Sequence, residues 1–165
     1  MAKQLTKKSR KPTSRAQADA PTFGFQRFAF KRIVFTELDK VPTPEGESVS
    51  SSTVKTIVNA RVGLSTEGIA EVQLSVDVVP DPHVQPYDIH VEIAGIFATR
   101  NGTPEQLADF CKMMGPTILF PFVRQMVNSL TTDGRYGRVL LRPVNLLSQL
   151  KQDGWTEMGA SSPED

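Results

Sequence analysis

The chain has 165 residues, of which 39% are hydrophobic and 22% charged, and its 12 prolines and 11 glycines are ordinary for that length. This composition predicts one globular domain with a substantial core and excludes a chain that is disordered throughout. A single cysteine, Cys111, excludes an internal disulfide and a zinc cage built from cysteines. Beside Phe110 and Met114, Cys111 is expected to be a buried structural residue on a helix face.

The net charge of +1 hides an uneven distribution. Residues 1–20 contain six Lys and Arg side chains against Asp19 alone, so the rest of the chain is net acidic. We predict that residues 1–22 form a disordered basic tail, because they lack bulky apolar side chains apart from Leu5. No aromatic residue is interleaved with these charges, so a solubilising role is favoured over a nucleic-acid arm.

The basic tail also bears on location. It lacks the apolar stretch of a signal peptide or transmembrane segment, and it lacks the amphipathic face of a mitochondrial transit peptide. We therefore expect a cytoplasmic protein without membrane insertion.

The first predicted strand runs from Phe23 to Phe35 and is rich in phenylalanine and β-branched residues. Strict alternation would place apolar side chains on both faces, with Phe28, Phe30 and Val34 on one and Phe25, Ile33 and Phe35 on the other. Such a strand is expected in the centre of a sandwich or at a subunit interface. The polar residues 38–53 that follow are long enough to be a crossover.

Three further segments, 56–64, 70–78 and 87–93, alternate regularly between apolar and polar residues. This period of two predicts an antiparallel sheet that is covered on one side only. The connections at 65–68 and 80–86 have hairpin lengths and turn-forming residues. Strands followed by helices indicate an α+β fold, with a four-stranded antiparallel sheet and helices packed on one face.

Two helices are predicted after the strands. Thr103 and Gln106 form a capping box for the first, which Gly115 and Pro116 are expected to end. The second, at 117–132, contains Pro121 and has an unusually wide apolar stripe, so two of its faces require burial. The sheet would cover one face, and a second chain or a ligand would cover the other.

The residues after these helices predict a mobile apolar lid. Gly134 and Gly137 give the connecting loop conformational freedom, and residues 139–141 are expected to be extended. Asn145 is placed as the N-cap of a last helix that contains Leu146, Leu147 and Leu150. Residues 153–165 are predicted to be a flexible acidic tail.

Motifs for catalysis are absent from the sequence: none of the common phosphate-binding, zinc-protease or serine-hydrolase signatures occurs. Asp88, His90 and Glu92 share one strand face and could hold a metal, but a solvated polar face is the favoured interpretation. Apolar residues dominate the candidate groove, so the sequence predicts a binding protein with no enzymatic activity, no metal and no cofactor. The candidate groove residues, which could alternatively be core or interface residues, are Phe97, Phe120, Phe122, Met126, Leu140, Leu146 and Leu147.

Two strings of the sequence resemble a known family. ILFPFVRQMVNSL at 118–130 and LLRPVNLLSQL at 140–150 are similar to the helix, lid loop and second helix of the SecB-type protein-export chaperones. Gly95-Ile96-Phe97 at the end of a strand matches as well. The resemblance covers roughly residues 23–152, which gives a chaperone domain between the tails 1–22 and 153–165.

The resemblance implies a cytoplasmic homotetramer, built as a dimer of dimers, that holds unfolded preproteins and delivers them to the SecA motor. The family's acidic motor-docking positions fall on Arg32, Thr36 and His90, none of which is acidic. The outer sheet face nevertheless stays negative through Glu71, Asp77, Asp88 and Glu92. Two alternatives remain open, namely a SecB-like chaperone that protects an antitoxin and a scaffold oligomer without unfolded clients.

Overall fold

One β-sheet and one long helix form the structure. The computed structural model describes residues 20–40, 54–65, 67–83, 85–143, 145–146, 148, 150 and 155–157. Its elements are β1 (Thr22–Glu37), β2 (Thr56–Leu64), β3 (Ile69–Val78), β4 (Tyr87–Arg100), α1 (Pro104–Thr131) and β5 (Trp155–Glu157). The strand order is β1-β4-β3-β2-β5, and only β5 pairs in parallel. The predicted α+β fold is confirmed.

The alternation in β2, β3 and β4 places their apolar residues on one face, as predicted. In β3, Ala70, Val72, Leu74, Val76 and Val78 are all buried, while the residues between them are partly exposed. Burial of this apolar row, at roughly 25 cal/mol per Å², is what holds α1 against the sheet. The opposite face is polar and uncovered by any described element, so the sheet is covered on one side.

The strand β1 departs from the predicted alternation because it contains two β-bulges. Its register with β4 shifts between Phe25 and Arg27 and again between Phe30 and Arg32. Each bulge adds a residue and reverses the phase of the side chains. The residues on the covered face are therefore Phe23, Phe25, Phe28, Phe30, Ile33 and Phe35, opposite covered-face residues of β4.

The predicted division of the apolar side chains between two faces was thus wrong for Phe28 and Phe30, which share the covered face with Phe25, Ile33 and Phe35, whereas Val34 lies on the opposite face as predicted. Of the two placements expected for this strand, the centre of a sandwich is excluded because β1 is the edge strand of the sheet, and the subunit interface stays a prediction. The helix covers its apolar side chains only in part, which leaves Phe28 38% and Ile33 39% exposed.

The helix α1 is continuous over 28 residues and includes both Pro116 and Pro121. The prediction that Gly115 and Pro116 end a first helix was wrong. Gly115 serves packing instead, since a Cβ there would lie 2.8 Å from Cγ2 of Val72. The capping box is confirmed: Thr103 Oγ1 accepts from the Gln106 N–H at 3.3 Å, and Gln106 Oε1 accepts from the Thr103 N–H at 3.0 Å.

One row of buried residues in α1 recurs at every fourth position, and it consists of Leu107, Cys111, Gly115, Leu119, Val123, Val127 and Thr131. Pro116 and Phe120 are buried beside this row. Four residues slightly exceed one turn of 3.6 residues, so this stripe winds slowly around the helix. Its last member, Thr131, faces the chain that follows the helix. The predicted wide stripe contains a second row of apolar residues, which includes Phe122 and Met126, and this row is only half-buried.

The chain after α1 returns to the core at Val139 and Leu141. Asn145 Oδ1 accepts from the Ser148 N–H at 3.3 Å, which confirms the predicted N-cap. Leu146 and Leu150 are helical and buried, whereas Leu147 lies outside the described residues. Residues 155–157, which the sequence analysis assigned to the tail, form β5 beside β2.

Candidate functional site

Aromatic side chains link β1 to α1 on the covered side of the sheet. The ring centroids of Phe28 and Phe122 are 4.1 Å apart, those of Phe25 and Phe122 are 6.2 Å apart, and those of Phe23 and Phe110 are 5.0 Å apart. We call these five residues the aromatic seam. The seam is only partly buried, because nothing described lies beyond β1.

The predicted groove residues fall at three depths. Phe97, Phe120 and Leu146 are buried in the core, with Phe97 lying against the Phe25 ring. Phe122 and Met126 are half-buried on α1, and Leu140 is 58% exposed. The seventh, Leu147, lies outside the described residues.

Sequence reasoning missed the helix-side apolar residues of β1. Phe28, Phe30 and Ile33 carry partly exposed apolar surface next to α1. Their signal was present in the spacing of the apolar residues, which alternates between two and three along 23, 25, 28, 30, 33 and 35. A step of three inside a strand is what a β-bulge produces.

The loop after α1 is hydrogen-bonded to the last residue of β1 and the first residue of β4. Tyr87 Oη accepts from the Tyr136 N–H at 3.0 Å, and Arg135 Nε donates to Glu37 Oε1 at 2.8 Å. Tyr136 Oη accepts from the Lys40 N–H at 3.2 Å. Gly134 lies so close to the Tyr87 hydroxyl that a Cβ would overlap it, so this glycine is needed for close approach.

Beyond this loop, residues 138–142 pass along α1, and we call them the lid segment. The Val139 N–H donates to Thr131 Oγ1 at 2.9 Å, and the Leu141 carbonyl accepts from Arg124 Nε at 2.8 Å. Val139 and Leu141 are buried, while Leu140 between them is exposed. The predicted lid residues are therefore held against the helix in this structure.

All four acidic residues predicted for partner docking lie on the outer face of the sheet, and they are Glu71, Asp77, Asp88 and Glu92. The three non-acidic residues at the family's docking positions, Arg32, Thr36 and His90, lie on the same face. In register, Arg32 lies opposite Glu92 and Thr36 opposite Asp88. His90 Nδ1 lies 2.7 Å from Asp77 Oδ1.

Residues from four strands surround a shallow depression of about 210 Å³ on this outer face. It is lined by Arg32, Asn59, Arg61, Gln73, Ser75, His90 and Glu92. Gln73 Nε2 also donates to Glu71 Oε1 at 2.8 Å. Two of the four predicted acidic residues, Glu71 and Asp77, are thus already engaged by neighbours on the sheet.

The residues that the structure describes also bear on metal binding, thiol reactivity and membrane insertion. No group of three His, Cys, Asp or Glu residues there has the arrangement of a metal site. Burial raises the pKa of the Cys111 thiol to about 11, which disfavours the nucleophilic thiolate. No helix among these residues is both long and apolar enough to cross a bilayer.

The fold resembles that of a chaperone. A solved structure of a SecB-like chaperone from Mycobacterium tuberculosis, in complex with an antitoxin peptide, superimposes with a TM-score of 0.59 and 17% sequence identity, covering 74% of this chain and 91% of that chain. At this identity the likeness concerns the fold alone. It places the chain among proteins with one sheet and one long helix of this arrangement.

Sequence comparison identifies the family. Residues 16–153 match the family described as preprotein translocase subunit SecB, and the chain belongs to the SecB family of protein-export chaperones. The protein-export protein SecB of Methylobacillus flagellatus is 30% identical over 153 residues, covering 89% of this chain and 95% of the relative. The protein of the same name from Thioalkalivibrio sulfidiphilus is 29% identical over 141 residues, covering 83% of this chain and 82% of the relative.

Proposed function

We propose that this protein is a holdase, which binds unfolded or precursor polypeptides through apolar contacts and keeps them competent for Sec-dependent export from the cytoplasm. Family membership supports the chaperone role. The observation that carries the proposal is the partly exposed aromatic seam, together with Ile33 on the same side of β1. Apolar burial depends on area rather than on sequence, so such a surface can bind many clients.

The holdase is proposed to act as a homotetramer built from two dimers. The strand β1 has 16 residues and one unpaired edge among the described elements, and Phe122 and Met126 on α1 are half-buried. A long edge strand with apolar side chains is a template for association unless it is covered. Further copies of the chain would cover both surfaces.

Delivery to the SecA motor is proposed to be weak. Arg32, Thr36 and His90 replace the acidic positions used by the family, and Asp77 is engaged by His90. Asp88 and Glu92 remain as acidic groups on the outer face. An antitoxin-protecting role and a scaffold role are the alternatives, and the scaffold role would leave the apolar side without clients.

A light-scattering assay tests the holdase. A chemically unfolded test protein should aggregate less when this chain is present at near-stoichiometric amount, whereas a scaffold should not affect its aggregation. Ile33→Ser and Val34→Ser form a matched pair, because the two neighbours are 39% and 38% exposed on opposite faces. Ile33→Ser should weaken suppression several-fold and Val34→Ser should not, with sedimentation recording any change of assembly. Equal suppression by both variants would contradict a binding surface on the helix side.

A further inference from the structure

The lid segment, residues 138–142, alternates strictly in exposure. Arg138, Leu140 and Arg142 are exposed, whereas Val139 and Leu141 are 4% and 3% exposed. A period of two is that of an extended chain, in which successive side chains point to opposite faces. The exposure pattern is therefore that of an extended chain, although the segment pairs with no strand among the described residues.

The two hydrogen bonds of the lid segment to α1 both come from its buried residues. The Val139 N–H donates to Thr131 Oγ1 at 2.9 Å, and the Leu141 carbonyl accepts from Arg124 Nε at 2.8 Å. In an extended chain, the N–H and C=O of one residue point to one edge and those of the next residue to the other edge. The main-chain groups of the odd-numbered residues therefore face α1, and those of the even-numbered residues face away from it.

The second edge of the lid segment has no hydrogen-bond partner in the described part of the chain. Among the residues that the structure describes, no hydrogen bond reaches the main chain of Arg138, Leu140 or Arg142, and neither guanidinium has an ion-pair partner. An unpaired edge of this kind accepts another extended chain, whose main chain then supplies the missing partners. Thr131 and Arg124 hold the edge in place beforehand, which lowers the ordering cost of binding.

We propose that the lid segment binds an extended polypeptide as an added antiparallel β-strand, and that it favours a segment with an apolar residue flanked by acidic residues two positions away on each side. The side chains of Arg138, Leu140 and Arg142 lie on one face at i, i+2 and i+4, so each contacts the residue paired with it. The apolar residue pairs with Leu140 and the acidic residues pair with the arginines. This inference rests on the proposed function and names how a client's main chain is recognised.

The test uses a fluorescent peptide of about nine residues, with a central leucine, glutamates two positions to each side and threonines elsewhere. Pairing with Leu140 makes the N–H of the central leucine a donor to the lid segment, while the N–H of the next residue points away. N-methylation of the central leucine should weaken binding by roughly tenfold in fluorescence anisotropy. N-methylation of the adjacent threonine is the matched control and should change binding by less than about threefold.

A separate set of binding measurements tests the preference for acidic residues. Replacing both glutamates with lysines should weaken binding to the wild-type protein, and the double variant Arg138→Gln with Arg142→Gln should remove that difference. Equal affinity for the parent and both methylated peptides would overturn the inference, as would equal weakening by both methylations. Loss of peptide binding as the protein concentration rises would assign the edge to a second copy and overturn it as well.

The outcomes separate this inference from the proposed function. Suppression of aggregation with no difference between the methylated peptides would contradict strand addition at the lid segment and leave the holdase proposal intact. If the protein neither suppresses aggregation nor binds the peptide, both proposals are contradicted. Suppression together with selective loss on methylation of the central leucine supports both.

Discussion

Gly115 marks a close approach of α1 to the sheet. A Cβ at this position would lie 2.8 Å from Cγ2 and 3.0 Å from Cγ1 of Val72, and Val72 is fully buried. A glycine inside a helix costs about 1 kcal/mol relative to alanine, so its presence in α1 indicates a packing requirement. Gly95 on β4 has the same role, since a Cβ there would lie 2.7 Å from Leu119.

We expect Gly115→Ala to lower the free energy of unfolding by about 1 kcal/mol. The helix would gain propensity, but overpacking of a fixed interface costs roughly 1–3 kcal/mol and exceeds that gain. Denaturant unfolding of the variant measures the difference. Thr117→Ala, at an exposed position of the same helix, should not destabilise the protein.

Val72→Ala provides a second check on this contact. Because it removes the two methyl groups that an alanine at position 115 would meet, Gly115→Ala should cost less in the Val72→Ala background than in the wild type. Additive effects of the two substitutions would show that the contact does not limit the packing of α1.

At the scale of elements, α1 has one face in the core and one face half-covered. Val127 is fully buried, so a charge there would disrupt the fold itself. Met126 is half-buried beside it and Gln125 is exposed, which makes these neighbours a matched pair for testing assembly.

Met126→Glu should dissociate the proposed tetramer into smaller species, because burial of an unpaired charge in an interface costs several kcal/mol. Gln125→Glu introduces the same charge on an exposed side of the helix and should leave assembly intact. Sedimentation velocity measures both, and circular dichroism shows whether the helix survives. A wild-type monomer would exclude the tetramer outright.

At the scale of the whole molecule, the sheet separates two surfaces of different chemistry. The helix side carries the aromatic seam, and the outer side carries Arg32, His90 and Glu92 around the shallow depression. Because the two surfaces lie on opposite faces of one sheet, a client on one side would not block a partner on the other.

Binding to SecA should be salt-sensitive and should strengthen by roughly tenfold in Arg32→Glu, because that change extends the acidic area around Glu92 and Asp88. Arg27→Glu makes the same change of charge farther along β1, opposite Ile96, and should have a smaller effect. Titration calorimetry at two salt concentrations measures both. Tight wild-type binding that survives removal of Asp88 and Glu92 would contradict an electrostatic docking surface.

Several features could be predicted from local sequence because local physics decides them. The alternation in β2, β3 and β4 follows from the two faces of a strand, and the capping box at Thr103 follows from hydrogen bonds within one turn. The Asn145 cap is local in the same sense. The family resemblance was also readable, since it depends on the ordered strings at 118–130 and 140–150.

Only the tertiary structure decided the features that depend on distant neighbours. The bulges in β1 place its phenylalanines on one face because β4 and α1 offer apolar contacts on that face alone. Packing against Val72 made Gly115 part of a continuous helix, although glycine followed by proline in isolation predicts a helix end. The depth of the predicted groove residues was decided in the same way. Phe97 and Phe122 are both phenylalanines in apolar stretches, but Phe97 is fully buried in the core and Phe122 is only half-buried on α1.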